Sequence, residues 1–177
     1  MNAMAYLVIA YPKLSPTDLG VIQQYRRQHD PRYFTVVEPH FTVVFAVSDI
    51  SADVFTAEVK KRAAGTKPFH FTIRVATINK DASGTFYHDF LVPDTGFSDL
   101  VKLHDKLYSG TLFGHLRLDI DYIPHIGIGN SDESLSVKQR VDQLNAQGIS
   151  IDGSIDTLDI IEYVDGHVRT IAQVALA

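Results

Sequence analysis

Hydrophobic and polar residues recur with two different periods along this chain, and these periods predict both strands and helices. Short runs of apolar and β-branched residues predict strands at residues 6–10, 41–47, 69–75, 85–91, 123–128, 155–164 and 168–175. Apolar residues spaced by three or four predict helices at about residues 17–29, 51–64, 96–108 and 134–148. Strands and helices mixed in this order are typical of the α+β class.

The two halves of the chain repeat a similar plan, in which strands and helices follow one another in a comparable order. Neither a linker nor a low-complexity stretch separates the halves. We therefore predict one compact domain over residues 1–177, built from two similar lobes.

Two histidines occur in matching contexts, one in each half. Residues 39–43 are Pro-His-Phe-Thr-Val, and residues 124–128 are Pro-His-Ile-Gly-Ile. Because successive side chains of a strand point to opposite faces, His40 shares a face with Thr42, and His125 shares a face with Gly127. Two lobes packed about a pseudo-twofold axis would bring both faces to one groove.

The first motif contains the full order of histidine, apolar residue, threonine and apolar residue, and the second motif contains this order in part. This pattern resembles the 2H phosphoesterase superfamily, and the order of elements is similar to its 2′-5′ RNA ligase-like branch over nearly the whole chain. The resemblance implies a bilobal α+β fold with two pseudo-symmetric antiparallel-sheet lobes, helices outside and a central cleft. It implies that His40 and His125 are the general acid and base acting on a cyclic or 2′-5′ phosphodiester. Thr42 would bind the phosphate, with no metal or other cofactor.

The residue types suit this chemistry. Opening a cyclic phosphate requires a base that takes a proton from water and an acid that protonates the leaving ribose oxygen, and histidine titrates near neutral pH. A lone histidine in a strand is more often structural, and His-x-Thr recurs by chance. The second histidine, the proline before each and the matching positions in the two halves favour the catalytic interpretation.

Gly127 departs from the family pattern, which usually has threonine or serine at this position. Losing one hydrogen bond to a charged phosphate costs about 1.5–3 kcal/mol. The amide of Gly127 or Ile128, or a hydroxyl from elsewhere, could bind the phosphate instead. Glycine in a strand also permits close approach of a ligand or marks a bulge. The alternative is a site that binds without cleaving.

Other side chains are candidates for contacts with the substrate. His88 and Phe86 share one face of a predicted strand that could border the cleft. Tyr11, Phe86 and Tyr122 could stack on a base, although an aromatic residue in a strand more often belongs to the core. Arg74 could contact a phosphate, but we expect it on a solvated edge.

Cysteine is absent, which excludes disulfide scaffolds, thiolate zinc sites and cysteine nucleophiles. The histidines show neither His-x-x-x-His nor His-Glu-x-x-His spacing, so we predict no metal site. We expect His104, which adjoins the apolar stripe of its helix, to be partly exposed.

Acidic residues outnumber basic ones by 21 to 16, which gives a formal net charge of −5. This balance argues against coating long nucleic acid, but it leaves room for a pocket that holds one phosphate. The apolar run at residues 6–10 is too short for a signal peptide or a membrane span. We expect a monomer without membrane association. The lack of cysteine favours a cytoplasmic location, and the expected partner is a small nucleotide or an RNA end.

Three functions fit these observations. The first is a hydrolase of nucleotide 2′,3′-cyclic or similar phosphodiesters, and the second is a module that binds nucleotides or RNA ends without cleaving them. The third is an enzyme for a phosphoester outside RNA, such as a cyclic phosphate derived from ADP-ribose. Gly127 favours the second, whereas His40, Thr42 and His125 favour the first and third.

Overall fold

The computed structural model describes residues 4–82 and 84–177. Over this range it has nine strands: Ala5–Ala10 (β1), Lys13–Leu14 (β2), Phe41–Val47 (β3), Phe69–Lys80 (β4), Tyr87–Thr95 (β5), Ile126–Ser131 (β6), Ile151–Ile155 (β7), Thr157–Val164 (β8) and His167–Ala175 (β9). The α-helices are Pro16–His29 (α1), Ala52–Ala63 (α2), Phe97–Leu107 (α3) and Ser134–Gln147 (α4), and a 3₁₀ helix spans Gly110–His115. The predicted α+β class is confirmed.

The strands form a single antiparallel sheet in the order β2-β7-β4-β5-β6-β3-β1-β8-β9. Two lobes meet in its middle. We call β3, β1, β8 and β9 the His40 lobe, and β6, β5, β4, β7 and β2 the His125 lobe. The expected bilobal arrangement is present, with the lobes joined edge to edge in one continuous sheet.

The lobes are joined where β3 and β6 begin. The ladder between these strands consists of one residue pair, Phe41 opposite Ile126. Both side chains have no exposed surface, and burial of such a side chain is worth roughly 1.5–3 kcal/mol. The backbone beside each motif histidine is therefore anchored in the hydrophobic core.

Beyond this pair, backbone groups at the edge of β3 form hydrogen bonds with side chains and not with a neighbouring strand. The hydroxyl of Tyr122 donates to the carbonyl of Thr42 (3.1 Å), and the amide of Phe45 donates to the hydroxyl of Tyr108 (2.9 Å). Buried backbone groups need such partners. These bonds hold β3 in place although, among the described residues, no second strand pairs with it along most of its length.

The helices cover the sheet in pairs. Helices α2 and α3 pack together against the His40 lobe, whereas α1 and α4 pack against the His125 lobe. The expectation that each half of the chain builds its own lobe is therefore too simple. Strands β8 and β9 from the end of the chain join the His40 lobe because β8 pairs with the open edge of β1, and α1 from the beginning crosses to β6.

His104 is a correction to the sequence interpretation, because its side chain is buried and only 3% exposed. It continues the apolar stripe of Leu100, Leu103 and Leu107 at helical spacing. Its Nδ1–H donates to the carbonyl of Val43 (2.8 Å), which offsets the cost of burying a polar ring. Burial lowers the pKa of His104 below its usual value, and the bond to Val43 partly opposes this.

Candidate active site

His40 and His125 each stand directly before the first residue of a central strand. The prolines that precede them, Pro39 and Pro124, are both buried. The pairing of Phe41 with Ile126 fixes the register around them. In an antiparallel pair with this register, His40 lies across from Gly127 and Thr42 lies across from His125.

This register makes the two histidines diagonal neighbours on one face of the sheet. Diagonal residues of neighbouring strands are roughly 7–8 Å apart at their backbones. That spacing leaves room for a phosphate between two imidazoles, with Thr42 and Gly127 at the other two corners. All four residues line one cleft of about 860 Å³.

The two imidazoles are held by the same hydrogen bond. Nδ1 of His40 lies 2.7 Å from the carbonyl oxygen of Glu38, and Nδ1 of His125 lies 2.7 Å from the carbonyl oxygen of Ile123. A carbonyl oxygen can only accept, so Nδ1 carries the hydrogen in both rings. Nε2 is then the nitrogen available for proton transfer.

Both rings are neutral in the unliganded protein near pH 7. Burial lowers the pKa of His40 to about 4, against the opposing effect of the bond to Glu38. Burial likewise lowers the pKa of His125 to about 4, the bond to Ile123 opposes the shift, and the charges of His40 and His88 lower it further. A proton on one motif histidine therefore disfavours a proton on the other.

Gly127 faces open space. A Cβ atom added there would meet no heavy atom of residues 4–82 and 84–177 within 4 Å, and the φ angle of Gly127 is not in the left-handed region. Neither a tight backbone conformation nor a crowded neighbour requires glycine at this position. The structure therefore has room for the side chain that the family usually carries here.

His88 lines the cleft, as its strand position suggested. Its ring stacks on that of Phe90, with centroids 5.5 Å apart, and its Nε2 lies 3.4 Å from Oδ2 of Asp81. Phe90 in turn stacks on His125 with centroids 3.5 Å apart and planes 12° from parallel. The sequence analysis did not single out Phe90, although it lies two residues beyond His88 and therefore on the same strand face.

The aromatic candidates are divided between the site and its surroundings. Tyr11 contacts the His40 ring edge-on, with centroids 6.3 Å apart, but does not line the cleft. The structure does not bring Tyr122 into the cleft either, because its ring stacks on His104 at 3.6 Å. Phe86 lies under the guanidinium of Arg32, 3.7 Å from the ring centroid.

Arg74, the other side chain considered for a phosphate contact, lies outside the cleft. Its side chain is 62% exposed and its Nε lies 3.5 Å from Oδ2 of Asp94. This is the solvated edge that the sequence indicated.

A buried polar network beside the site was not predicted from the sequence. The guanidinium of Arg26 donates to Asp30 (3.0 Å) and to the carbonyl groups of Tyr33 (3.1 Å) and Val37 (2.8 Å). Asp30 also accepts from Nδ2 of Asn130 (2.6 Å). These bonds join the end of α1, the segment that leads to His40 and strand β6. In the sequence, this network shows only as an Arg and an Asp four residues apart. Such a pair is common on solvated helices, so it did not indicate that Arg26 and Asp30 are buried.

Two further findings concern the described parts of the chain. They contain no group of three or more His, Cys, Asp or Glu side chains arranged to hold a metal ion. Within the same residues, no helix has the length and apolar character needed to cross a membrane.

Comparison with known proteins decides the family. The model of the 2′-5′ RNA ligase superfamily matches residues 12–167 of the chain. The chain belongs to this superfamily. The resemblance inferred from the two histidine motifs is thereby confirmed.

The matches between this chain and its relatives cover nearly its whole length. It is 24% identical over 172 residues to a candidate phosphoesterase of Oceanobacillus iheyensis, covering 96% of both chains. It is 22% identical over 170 residues to one of Geobacillus kaustophilus, covering 95% of this chain and 93% of that one. Together with the family, these relatives support phosphoesterase activity in the broad sense.

Solved structures show the same fold. Escherichia coli LigT in complex with 3′-AMP superimposes with a TM-score of 0.59 at 16% identity, covering 99% of both chains. Usb1 of Kluyveromyces marxianus superimposes with a TM-score of 0.55 at 9% identity, covering 94% of this chain and 97% of that one. The bilobal sheet with its central cleft is therefore the fold of LigT-like proteins.

Proposed function

We propose that this protein is a metal-independent phosphodiesterase that acts on a cyclic or 2′-5′ phosphodiester of a nucleotide or an RNA end. The observation that carries the proposal is the pair formed by His40 and His125. The two imidazoles are diagonal neighbours in one cleft, and each is fixed through Nδ1 so that Nε2 can exchange a proton.

The pair supplies both proton transfers of hydrolysis. The neutral Nε2 of one histidine takes a proton from water, and the water oxygen forms a bond to phosphorus. The bond from phosphorus to the leaving ribose oxygen breaks, and the protonated second histidine gives its proton to that oxygen. Each transfer contributes roughly 10²–10⁴ in rate.

Substrate binding provides the charge state that this reaction needs. With both pKa values lowered to about 4, the unliganded site holds two neutral rings near pH 7. A phosphodiester anion within about 4–6 Å favours the charged form of an imidazole. Because each histidine disfavours a proton on the other, the anion recruits one proton and leaves one base.

Thr42 has the role of a phosphate ligand in this proposal. Its hydroxyl shares the strand face of His40, and Tyr122 holds its carbonyl in place. A hydroxyl donor aimed at a non-bridging oxygen stabilises the negative charge of the transition state. Gly127 supplies only its backbone at the equivalent position, so the two half-sites bind the phosphate unequally.

A binding module without catalysis is the second candidate function, and Gly127 is the observation that favours it. Solved LigT structures with 3′-AMP, NADP+ and ATP have the same fold as this chain. These complexes support a small nucleotide as the ligand under either function. A cyclic phosphate derived from ADP-ribose fits within the same class. The monomeric state and the cytoplasmic location stay predictions.

The two candidates differ in what the histidines do. We expect His40→Ala and His125→Ala each to lower turnover of nucleoside 2′,3′-cyclic phosphates by roughly 10²-fold or more. Thr42→Ala should cost about 1.5–3 kcal/mol in transition-state binding, because it removes one hydrogen bond to the phosphate. The matched control is Leu135→Ala, whose side chain is 76% exposed on α4. Equal background rates for wild type and both histidine variants, with nucleotide binding retained, would establish the binding module.

A further inference from the structure

The cleft carries two rows of side chains at equivalent positions on either side of the histidine pair. In the His40 lobe, Leu7 faces the β3 residues Phe45 and Ala46 on one side and Ile161 of β8 on the other. This row is apolar throughout. Leu7, Phe45, Ala46 and Ile161 all line the cleft.

The second row crosses the His125 lobe. His88 of β5 pairs with Asn130 of β6 on one side and with Asn79 of β4 on the other. All three side chains line the cleft. Two amides and an imidazole therefore occupy the strands that correspond to those of the apolar row.

The two rows are related by the pseudo-twofold axis of the fold. Phe45 lies four residues after Phe41, and Asn130 lies four residues after Ile126, where Phe41 and Ile126 form the central pair. Both positions follow a β-bulge, since β3 has Val43 as an extra residue between its pairs with Val8 and Ile9, and β6 has Ile128 as an extra residue between its pairs with Asp89 and Phe90. A bulge changes which face the following side chains occupy. The two rows, which form the two arms of the cleft, thus keep the symmetry of the backbone but differ in chemistry.

Asn130 has a hydrogen-bonding capacity that the described residues leave unused. It is 4% exposed, and its Oδ1 has no hydrogen-bond partner among the described residues. Its amide orientation is fixed because Nδ2 donates to the carboxylate of Asp30 at 2.6 Å. A buried acceptor of this kind requires a donor, and a ligand that carries hydroxyl or amino groups would supply one.

We propose that the substrate is a phosphodiester with two unlike groups, a planar nucleobase on the apolar row and a polar, hydroxyl-bearing group on the polar row. This inference rests on the proposed function. Phe45 lies three residues beyond Thr42 and Asn130 three beyond Gly127, so each row is roughly 10 Å from the phosphate position at 3.3 Å per residue. The cleft of about 860 Å³ extends over both rows, and its volume is in the upper part of the range for small-ligand sites.

A reciprocal pair of near-isosteric substitutions tests the assignment of the arms. Leu7→Asn makes the apolar row polar, and Asn79→Leu makes the polar row apolar. Affinities are measured by calorimetry with adenosine 3′-monophosphate, ribose 3-phosphate, and the methyl and glyceryl esters of adenosine 3′-monophosphate. The matched control is Leu135→Asn, the same change on an exposed helix position outside the cleft.

Each variant should lose one kind of discrimination and keep the other. Leu7→Asn should lower the preference for adenosine 3′-monophosphate over ribose 3-phosphate by roughly five-fold or more, because it replaces the apolar contact of a leucine side chain with the base by a polar amide. Asn79→Leu should lower the preference for the glyceryl over the methyl ester by roughly two- to ten-fold, the value of one hydrogen bond. If Leu7→Asn does not fold, Ala46→Asn at an exposed position of the same row replaces it.

The outcomes separate this inference from the proposed function. Selective changes in binding without turnover of any phosphodiester would keep the two arms and refute the catalytic proposal. Histidine-dependent turnover with unchanged discrimination in both variants would keep the catalytic proposal and overturn the two arms. Loss of base discrimination in Asn79→Leu rather than in Leu7→Asn would overturn the assignment as well.

Discussion

Replacing Gly127 by threonine would give the second half-site the hydroxyl that the first half-site has in Thr42. The structure accepts the change, because an added Cβ meets no atom of the described residues within 4 Å and the backbone is not left-handed. Threonine is favoured over glycine in strands, on a scale that spans about 1 kcal/mol. We therefore expect Gly127→Thr to fold at least as well as the wild type.

The expected gain follows from one hydrogen bond to an anionic phosphate. Such a bond contributes about 1.5–3 kcal/mol, which corresponds to roughly a 10- to 150-fold rise in kcat/KM. The new hydroxyl lies across the strand pair from His40, as Thr42 lies across from His125. It can therefore approach the phosphate from the side opposite to Thr42.

The control for Gly127→Thr is Gly127→Val, which has the same shape without the hydroxyl. The assay is the steady-state hydrolysis of nucleoside 2′,3′-cyclic phosphates, with the affinity for a nucleoside 3′-monophosphate measured alongside. The difference between the threonine and valine variants isolates the hydroxyl. An equal effect of both variants, or a loss of activity in a stable Gly127→Thr protein, would refute this account of the second half-site.

Three further expectations follow from the site. Activity should survive EDTA, because two imidazoles move both protons without a Lewis acid; loss in EDTA with recovery in zinc or manganese would indicate a metallohydrolase. In the unliganded protein, NMR titration of the imidazole protons should give pKa values of about 4 for His40 and His125, and a bound nucleoside monophosphate should raise at least one of them. In the unfolded state these histidines bind protons below about pH 6.5, whereas in the folded state they do so only near pH 4. The free energy of unfolding should therefore decrease as the pH is lowered from about 6.5 to 4, by up to roughly 3 kcal/mol per histidine. The decrease should be less steep in a His40→Gln variant.

The faces on which the motif residues lie could be predicted from the sequence, because strand alternation depends only on neighbouring residues. Strand alternation put Phe41 in the core and His40 with Thr42 on the opposite face, and the structure agrees. The repetition of this pattern at His125 indicated a second half-site. Only the single pair between Phe41 and Ile126, which makes the histidines diagonal neighbours, required the structure.

Long-range features could not be predicted in the same way. The burial of His104 depends on the carbonyl of Val43, which lies 61 residues away in the chain. The network of Arg26, Asp30 and Asn130 likewise joins residues up to 100 positions apart. Helical or strand periodicity assigns a face to each side chain, but it does not name the partner that makes burial of a polar group acceptable.

The two-fold symmetry of the site has a chemical consequence. Identical bonds from Nδ1 to the chain two residues earlier make His40 and His125 equivalent in tautomer, and burial lowers both pKa values to about 4. The proposed hydrolysis needs unequal partners, one acid and one base. The inequality must therefore come from the surroundings and the ligand: His125 stacks on Phe90 while His40 meets the edge of Tyr11, and Thr42 has no hydroxyl counterpart at Gly127. Under the proposed function, a phosphate bound off the symmetry axis would place the proton on one ring and leave the other ring as the base.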